Sequence, residues 1–278
     1  MISFNTVKDF KVLMVGDGIT DEYRYVKPKG KAIKDSALSV QSEARKETFN
    51  GGVWAAAAHV ANFCRQVDII TGPHVMRNRY YVDAIYMRKL FNVHEIREDV
   101  EHPKNYDVRD YDLVIVTDFG HGTMTKPIIE RLTKEARFLV VNAQTNTMNY
   151  GFNLVTKYRR ADYVVLDELE ARLAARDRDG DIEDVILALG FKKIIVTLGK
   201  NGAIGFDGAF ERMSALTEKP VDTIGAGDAF LCVTAPFAAA GASMKDLLRI
   251  GNAAGAVKVG IVGHRASVNR EALEAALG

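Results

Sequence analysis

Apolar runs rich in Val, Ile and Leu occur at Lys11–Gly16 (KVLMVG), Leu113–Thr117 (LVIVT), Phe138–Asn142 (FLVVN), Tyr163–Leu166 (YVVL) and Ile194–Leu198 (IIVTL). They lack polar alternation, which predicts strands covered on both faces and hence a parallel sheet. Helical spacing of apolar residues follows near Lys126–Ala136, Glu168–Arg176 and Ile182–Leu189. Strand and helix in alternation predict a doubly wound α/β fold with a mostly parallel sheet. Such sheets bind ligands beyond the carboxyl ends of their strands, so the loops after these runs are where chemistry is expected.

Two regions break the pattern. Glu22–Asn50 is polar, with weak strand signal, while Val75–Val82 and Met87–Ile96 carry aromatic and branched residues that suit an antiparallel hairpin. Segments 22–50 and 74–98 are therefore expected to form a small β lid; a solvated loop with a surface hairpin is the alternative from pattern alone. Neither an internal repeat nor a low-complexity linker is evident, so residues 1–278 read as one domain. The last third is helical, with Ala226–Ala240 almost wholly apolar, Met244–Val259 apolar at helical spacing and a short helix at Arg270–Leu277. A helix apolar all round belongs in a core.

Charge and composition narrow the function classes. Formal net charge is +1, which recommends no nucleic acid partner. No apolar run approaches the ~18 residues of a membrane span, and Met1–Asp9 is too polar for a signal peptide. Cys64 and Cys232 lie in apolar helix-like segments and read as reduced, buried residues, which suits a cytoplasmic protein.

The most informative segment is Asp222-Thr223-Ile224-Gly225-Ala226-Gly227-Asp228, directly before the apolar helix. Glycines allow a tight turn whose N–H groups a ligand can approach. The first N–H groups of a helix have no internal partner, and the helix dipole adds partial positive charge there. An anion site results, suited to charge that builds up during reaction. Asp228, in the first turn, is placed to take a proton from a hydroxyl attacking a phosphoryl group. An aspartate that merely complements the helix dipole explains Asp228 but not the glycines. Phe230 occupies the third glycine position of a dinucleotide fingerprint, and G-x-x-x-x-G-K-[ST] does not occur.

DTIGAGD closely resembles the C-terminal signature of the ribokinase-like (phosphofructokinase-B) carbohydrate kinases. Val12–Tyr23 (VLMVGDGITDEY) resembles the family's first strand and sugar-binding turn, particularly in its bacterial heptose-phosphate kinase branch. Gly51-Gly52 before an alanine-rich helix, the turn from Thr197 to Gly202, and Asn252–Leu273 extend the likeness over most of the chain. The resemblance implies an ATP-dependent sugar kinase with Asp228 as base and the backbone of Gly225, Ala226 and Gly227 as anion hole. It implies that Asp21 binds sugar hydroxyls beside Gly51 and Gly52. Thr197, Gly199, Gly202, Thr223 and Asn252 would line the ATP site. Glu170, with Asp167, would orient Mg2+ through water. Apart from the resemblance, Asp21 also reads as a turn cap, Gly199 and Gly202 as hairpin punctuation, and Glu170 as a solvated helix residue.

Several positions depart from the family pattern. Its N-x-x-E begins here with Asp167, its heptose branch has an asparagine where this chain has Ala55 beside Trp54, and an aspartate where this chain has Asn142. Asn142, Gln144 and Asn146 are further candidate contacts, or a hydrophilic loop. After Ile70 there is no room for a strand–helix unit the family usually has, so the sheet is expected to be short at that edge or completed by another subunit. Lys27, Lys29, Arg77, Arg79 and Arg88 flank the lid, and Arg79 is the preferred candidate to hold a phosphate already on the sugar.

The leading expectation is γ-phosphoryl transfer from ATP to a hydroxyl of a sugar or sugar phosphate, with a homodimer through the lid as a candidate assembly. A nucleoside kinase, with Trp54 stacking on a base, and a kinase-like binding module of low turnover are the alternatives. Relatives with this kinase domain are often joined to a nucleotidyltransferase, but no H-x-G-H motif occurs here, so that activity is not expected of this chain.

Overall fold

The structure, a computed structural model, describes residues 3–98, 106–217 and 220–278. In chain order its elements are β1 (Lys11–Lys31), β2 (Leu38–Gly52), α1 (Val53–Val60), β3 (Gln66–Asp83), β4 (Lys89–Glu98), β5 (Leu113–Asp118), α2 (Lys126–Glu135), β6 (Leu139–Ala143), β7 (Tyr163–Asp167), α3 (Glu168–Ala175), α4 (Ile182–Leu189), β8 (Ile194–Thr197), β9 (Ala203–Phe206), β10 (Phe210–Met213), α5 (Ala226–Ala239), α6 (Met244–Val259) and α7 (Arg270–Leu277). The sheet runs β10-β9-β8-β7-β6-β5-β1-β3-β4, with β2 paired to β1. Strands β8, β7, β6, β5, β1 and β3 are mutually parallel, and β9 and β10 turn back antiparallel at one edge.

Successive residues of a strand face opposite sides, so the apolar runs feed two cores at once. Val12 and Met14 of β1, with Leu113 and Ile115 of β5, meet α1, α5 and α6 through Val53, Phe230, Phe237 and Leu247. Leu13 and Val15, with Val114 and Val116, face the opposite layer, where Leu132, Ala171 and Val185 come from α2, α3 and α4. Three layers follow from uninterrupted branched residues, as the doubly wound reading requires. Helix α5 is buried without a break from Asp228 to Ala238, which fixes its N-terminus against the carboxyl ends of the strands.

The strands of the off-pattern segments are longer than their sequence suggests. The chain does not stop at Gly16: β1 continues to Lys31, pairs antiparallel with β2, and keeps its parallel pairing with β3 as far as Asp83. One register shift, between Gly16 and Gly18, separates the core part of this ladder from the outer part. The hairpin β3–β4 completes a four-stranded outer sheet in the order β2-β1-β3-β4. The absence of a strand–helix unit after Ile70 has a direct reading: β3 passes from core to lid as one strand and forms the edge of the core sheet itself. Among the described residues, no helix is long and apolar enough to cross a membrane.

Candidate active site

The Gly–Asp turn lies where the sequence puts it. Gly225 caps α5 with φ 73°, a left-handed conformation that favours glycine, and Asp228 follows in the first turn. Two cavities meet at this helix head. One, of 480 Å3, reaches Thr223, Ala226 and Gly227; the other, of 360 Å3, reaches Ile224, Gly225 and Asp228. The Ala226 N–H is already turned onto Thr223 O at 3.3 Å, whereas the space beside the Gly227 Cα is open. Of the three turn residues expected to form an anion hole, Ala226 thus has its N–H already engaged, while the side of Gly227 is unobstructed.

The larger cavity is walled by small residues together with apolar side chains such as Leu198, Leu216, Phe230 and Val259. Thr197, Gly199 and Gly202 come from β8 and the turn into β9, Gly251, Asn252 and Gly255 from α6. All five residues assigned to nucleotide from the sequence (Thr197, Gly199, Gly202, Thr223, Asn252) line it. Asn252 is buried and its Nδ2 has no hydrogen-bond partner, so the wall holds a donor that the protein leaves unmet.

The smaller cavity lies between the lid and the ends of the core strands. Asp21 leans into it from β1, and a chain of hydrogen bonds positions it. Asn78 Nδ2 donates to Asp21 Oδ1 at 3.0 Å, and Asn78 Oδ1 meets His94 Nδ1 at 2.7 Å. His94 Nε2 meets Asn92 Nδ2 at 2.7 Å. With the Asn78 amide so oriented, His94 Nδ1 is the donor and its Nε2 accepts from Asn92. On its other side Asp21 Oδ2 lies 3.3 Å from His264 Nε2. Gln144 Nε2 donates to Asp228 Oδ1 at 2.5 Å, and Asn146 donates to Phe119 O, so the polar loop after β6 is a cavity wall. Burial pushes the Asp228 carboxyl above the usual carboxylate range, against the opposing pull of His264, the Gln144 amide and Lys258. A more basic carboxylate is the better proton acceptor.

The expected sugar-side residues divide. Gly52 lines the cavity; its φ is 57°, and a Cβ there would meet Asp17 O at 2.3 Å. Gly51 sits beneath Asp21, whose Oδ2 would be 2.6 Å from an added Cβ. Arg79 lies elsewhere. Alternation along β3 sends Asn78 and Tyr80 into the cavity and Arg79 to the opposite face of the lid. There it pairs with Glu95 at 2.8 Å and Glu22 at 3.4 Å. Although burial opposes it, hydrogen bonds from Lys46 and Arg24 hold Glu22 down at about 2, so Arg79 sits in an ion-pair network on this face. Lys27 and Arg88 likewise pair with Glu43 and Asp83, and neither lines either of these two cavities.

Asp167 and Glu170 form a capping box at the start of α3, each side chain accepting from the other's backbone N–H. Asn and Asp serve about equally at such a cap, which explains Asp167 where the family has asparagine. Asp167 lines the larger cavity, while Glu170 is buried behind it and also accepts from Thr145 N at 3.1 Å and from Asn142 Nδ2 at 3.4 Å. Burial, and then the charge of Asp167, push the Glu170 carboxyl up. Among the described residues no cluster of three or more His, Cys, Asp or Glu could hold an ion alone. Magnesium favours one or two carboxylates, waters and phosphate oxygens over such a cage. The pair fits that role through water, and the buried Asn142 Oδ1 beside Glu170, which has no partner, is an acceptor for such a water.

Trp54 lines neither cavity: it packs against the core, with its ring at Gly18. Ala55, on the same short helix, lines neither either. The sequence reading missed Asn78, Tyr80, Asn92, His94, His121 and His264. Period-two alternation through Val75–Val82 held the signal for Asn78 and Tyr80, but nothing local marks His264.

Residues 107–271 match the pfkB family carbohydrate kinases. The bifunctional protein HldE of Desulfatibacillum aliphaticivorans is 32% identical over 179 residues, which cover 60% of this chain and 35% of that protein. The chain thus spans about a third of the length of that relative. Among solved structures, ribokinase from Thermotoga maritima superposes with a TM-score of 0.72 at 18% identity, covering 96% of this chain and 99% of that one. Arabidopsis thaliana ribokinase complexed with ribose and ATP gives 0.67 at 16%, covering 97% and 99%. The fold is shared with both, and by the match over more than half its length this chain belongs to the pfkB family of carbohydrate kinases.

Proposed function

We infer that this kinase transfers the γ-phosphoryl group of ATP to a hydroxyl of a sugar or sugar phosphate, with Asp228 as the base. The observation that carries this is the meeting of two cavities at one helix head, with Asp228 on one side and Ala226 and Gly227 on the other. Nucleotide in the larger cavity and acceptor in the smaller bring the two reactants together across the turn. The acceptor oxygen attacks the γ-phosphorus, the bond from phosphorus to the β–γ bridging oxygen breaks, and ADP leaves. Asp228 takes the hydroxyl proton as the new P–O bond forms, while the turn's amides and helix dipole face the charge on the transferring group. Asp167 and Glu170 would hold magnesium through water, and the ion would neutralise phosphate oxygens.

Asp21, fixed by Asn78 and His264, would accept hydrogen bonds from acceptor hydroxyls, which orients one of them at Asp228. Likeness to the heptose-phosphate branch at Val12–Tyr23 favours a seven-carbon sugar phosphate, and His94, His121 and His264 on the cavity wall are the groups on hand for its phosphate. Pairing of two copies through the lid belongs to the same reading, supported by exposed Leu38, Ile85, Tyr86, Phe91 and Val93. A panel of hexoses, heptoses, their phosphates and nucleosides, assayed for acceptor-dependent ADP release, tests the reading. Turnover with a sugar or sugar phosphate is the expected result. Turnover confined to nucleosides, or nucleotide binding without turnover on any acceptor, would overturn it.

A further inference from the structure

Gln144 is half-buried on the wall of the smaller cavity, and its Nε2 donates to Asp228 Oδ1 at 2.5 Å. No step of the reaction above gives this contact a task. The peptide that carries it is held from both sides. Gln144 N donates to Asp118 O at 2.8 Å, and Gln144 O accepts from Asn153 Nδ2 at 3.1 Å. The same Asn153 amide reaches Asp118 O at 2.9 Å. Asp118 is itself fully buried, its carboxylate met by Tyr158 and Lys157. One residue on, Thr145 N donates to Glu170 Oε1 at 3.1 Å. The end of β5, Asn153 and α3 thus fix the root of a side chain that would otherwise be free to turn. What that side chain delivers is one donor to one oxygen of the base.

This bond acts on Asp228 in two ways. With Oδ1 engaged, rotation of the carboxylate is restrained, and Oδ2 is the oxygen left to face an acceptor hydroxyl. Burial disfavours the ionised carboxylate, and the Gln144 donor favours it. That second effect matters, because a base already protonated at neutral pH accepts nothing. Other charged groups act on the carboxylate from other sides. His264 and Lys258 favour its ionised form, Glu170 and Asp228 repel each other, and the buried Cys232 thiol is pushed up and stays neutral. Among the described residues, Gln144 is the group that reaches the carboxylate by a hydrogen bond. We propose that Gln144 is a positioning residue for the base, holding Asp228 Oδ1 so that Oδ2 meets the acceptor hydroxyl. The proposal rests on the kinase reading for its effect on turnover, but not for its effect on the Asp228 carboxyl itself.

The test compares wild type with Gln144→Met, which keeps the length without the donor, and Gln144→Glu, which keeps the shape but adds a second acid. Turnover is measured as a function of pH. At neutral pH Gln144→Met should lose about 10- to 100-fold in turnover, with nucleotide affinity within about threefold of wild type. The acidic limb of its profile should move up by about one pH unit, because the ionised carboxylate has lost a donor. Part of the loss should therefore return as the pH is raised. Gln144→Glu should move the limb further, since two adjacent carboxyls resist ionising together. A merely structural Gln144 would lower turnover equally at every pH and leave the limb in place. The second readout needs no acceptor: carbon-13 NMR titration of the Asp228 carboxyl, its signal identified by its loss in Asp228→Asn. That titration should shift upward in Gln144→Met as the limb does. Unchanged turnover in Gln144→Met, or a limb and a carboxyl titration that stay at their wild-type positions, would sink the proposal. Should Gln144→Met fail to fold, an unmoved titration in Gln144→Glu would be equally fatal. Wild type inactive on every acceptor, with the NMR shift intact, would count against the kinase reading alone.

Discussion

The two cavities at the head of α5 are built from different materials. The larger is walled by glycines, alanines and apolar side chains such as Leu198, Leu216, Phe230 and Val259. The smaller is walled by carboxylates, carboxamides and histidines brought from β1, β3, β4 and the loops after β5 and β6, together with His264. A wall of small and apolar residues makes few polar demands on what it holds. A wall rich in polar side chains can tell ligands apart, because each polar group left unmatched by a wrong ligand is costly.

If that division is right, substitutions should separate cleanly by side. Asp228→Asn should lower turnover by about 10²–10⁴-fold while nucleotide affinity stays near wild type, measured by steady-state assay and nucleotide titration. Near-normal turnover would remove Asp228 as base. Asp21→Asn should lower kcat/KM for the acceptor by about 10- to 100-fold and leave KM for ATP unchanged. A matching rise in KM for ATP would mean that the cavities are not independent. Asn252→Ala should do the reverse, raising KM for ATP by about three- to tenfold with KM for acceptor unmoved. The smallest effect is expected from Arg79→Ala, which should change acceptor KM by less than about twofold and lower the melting temperature modestly, since Glu22 keeps Arg24 and Lys46. A large acceptor defect in that variant would reinstate it as a substrate ligand.

The same contrast explains what the sequence revealed. Branched runs buried on both faces announced the core strands, and α4, α6 and α7 fall on the spans that their apolar spacing predicts. The helix head between the cavities was legible because its turn demands glycine, as at Gly225 with its left-handed φ. The smaller cavity was legible only in part: Asp21, Gly52, Gln144, Asn146 and Asp228 were candidates, whereas Asn78 and His264 are far apart in sequence and become partners of Asp21 only through the lid pairing and the loop after α6. Arg79 shows the specific failure. Its charge fitted a phosphate, but strand alternation decides which side of the lid a residue serves, and Asn78 took the inner position. Outer strand β2 gave only a weak strand signal within the expected lid segment because its polar composition reflects exposure on a sheet that stands off the core.

The register shift of the β1–β3 ladder between Gly16 and Gly18 marks the root of the outer sheet. Thr117 crowds Gly16 and the Trp54 ring crowds Gly18, so neither position tolerates a side chain as the molecule stands. At about 3.3 Å per residue, the stretch from Gly18 to Lys31 is an arm of roughly 40 Å, and Asp21 lies within about 10 Å of its root. A flex of about 5° at the root would swing the tip by roughly 3–4 Å but displace Asp21 by less than about 1 Å. Displacement of the outer sheet about this root would therefore shift its far rim by several ångströms and Asp21 hardly at all.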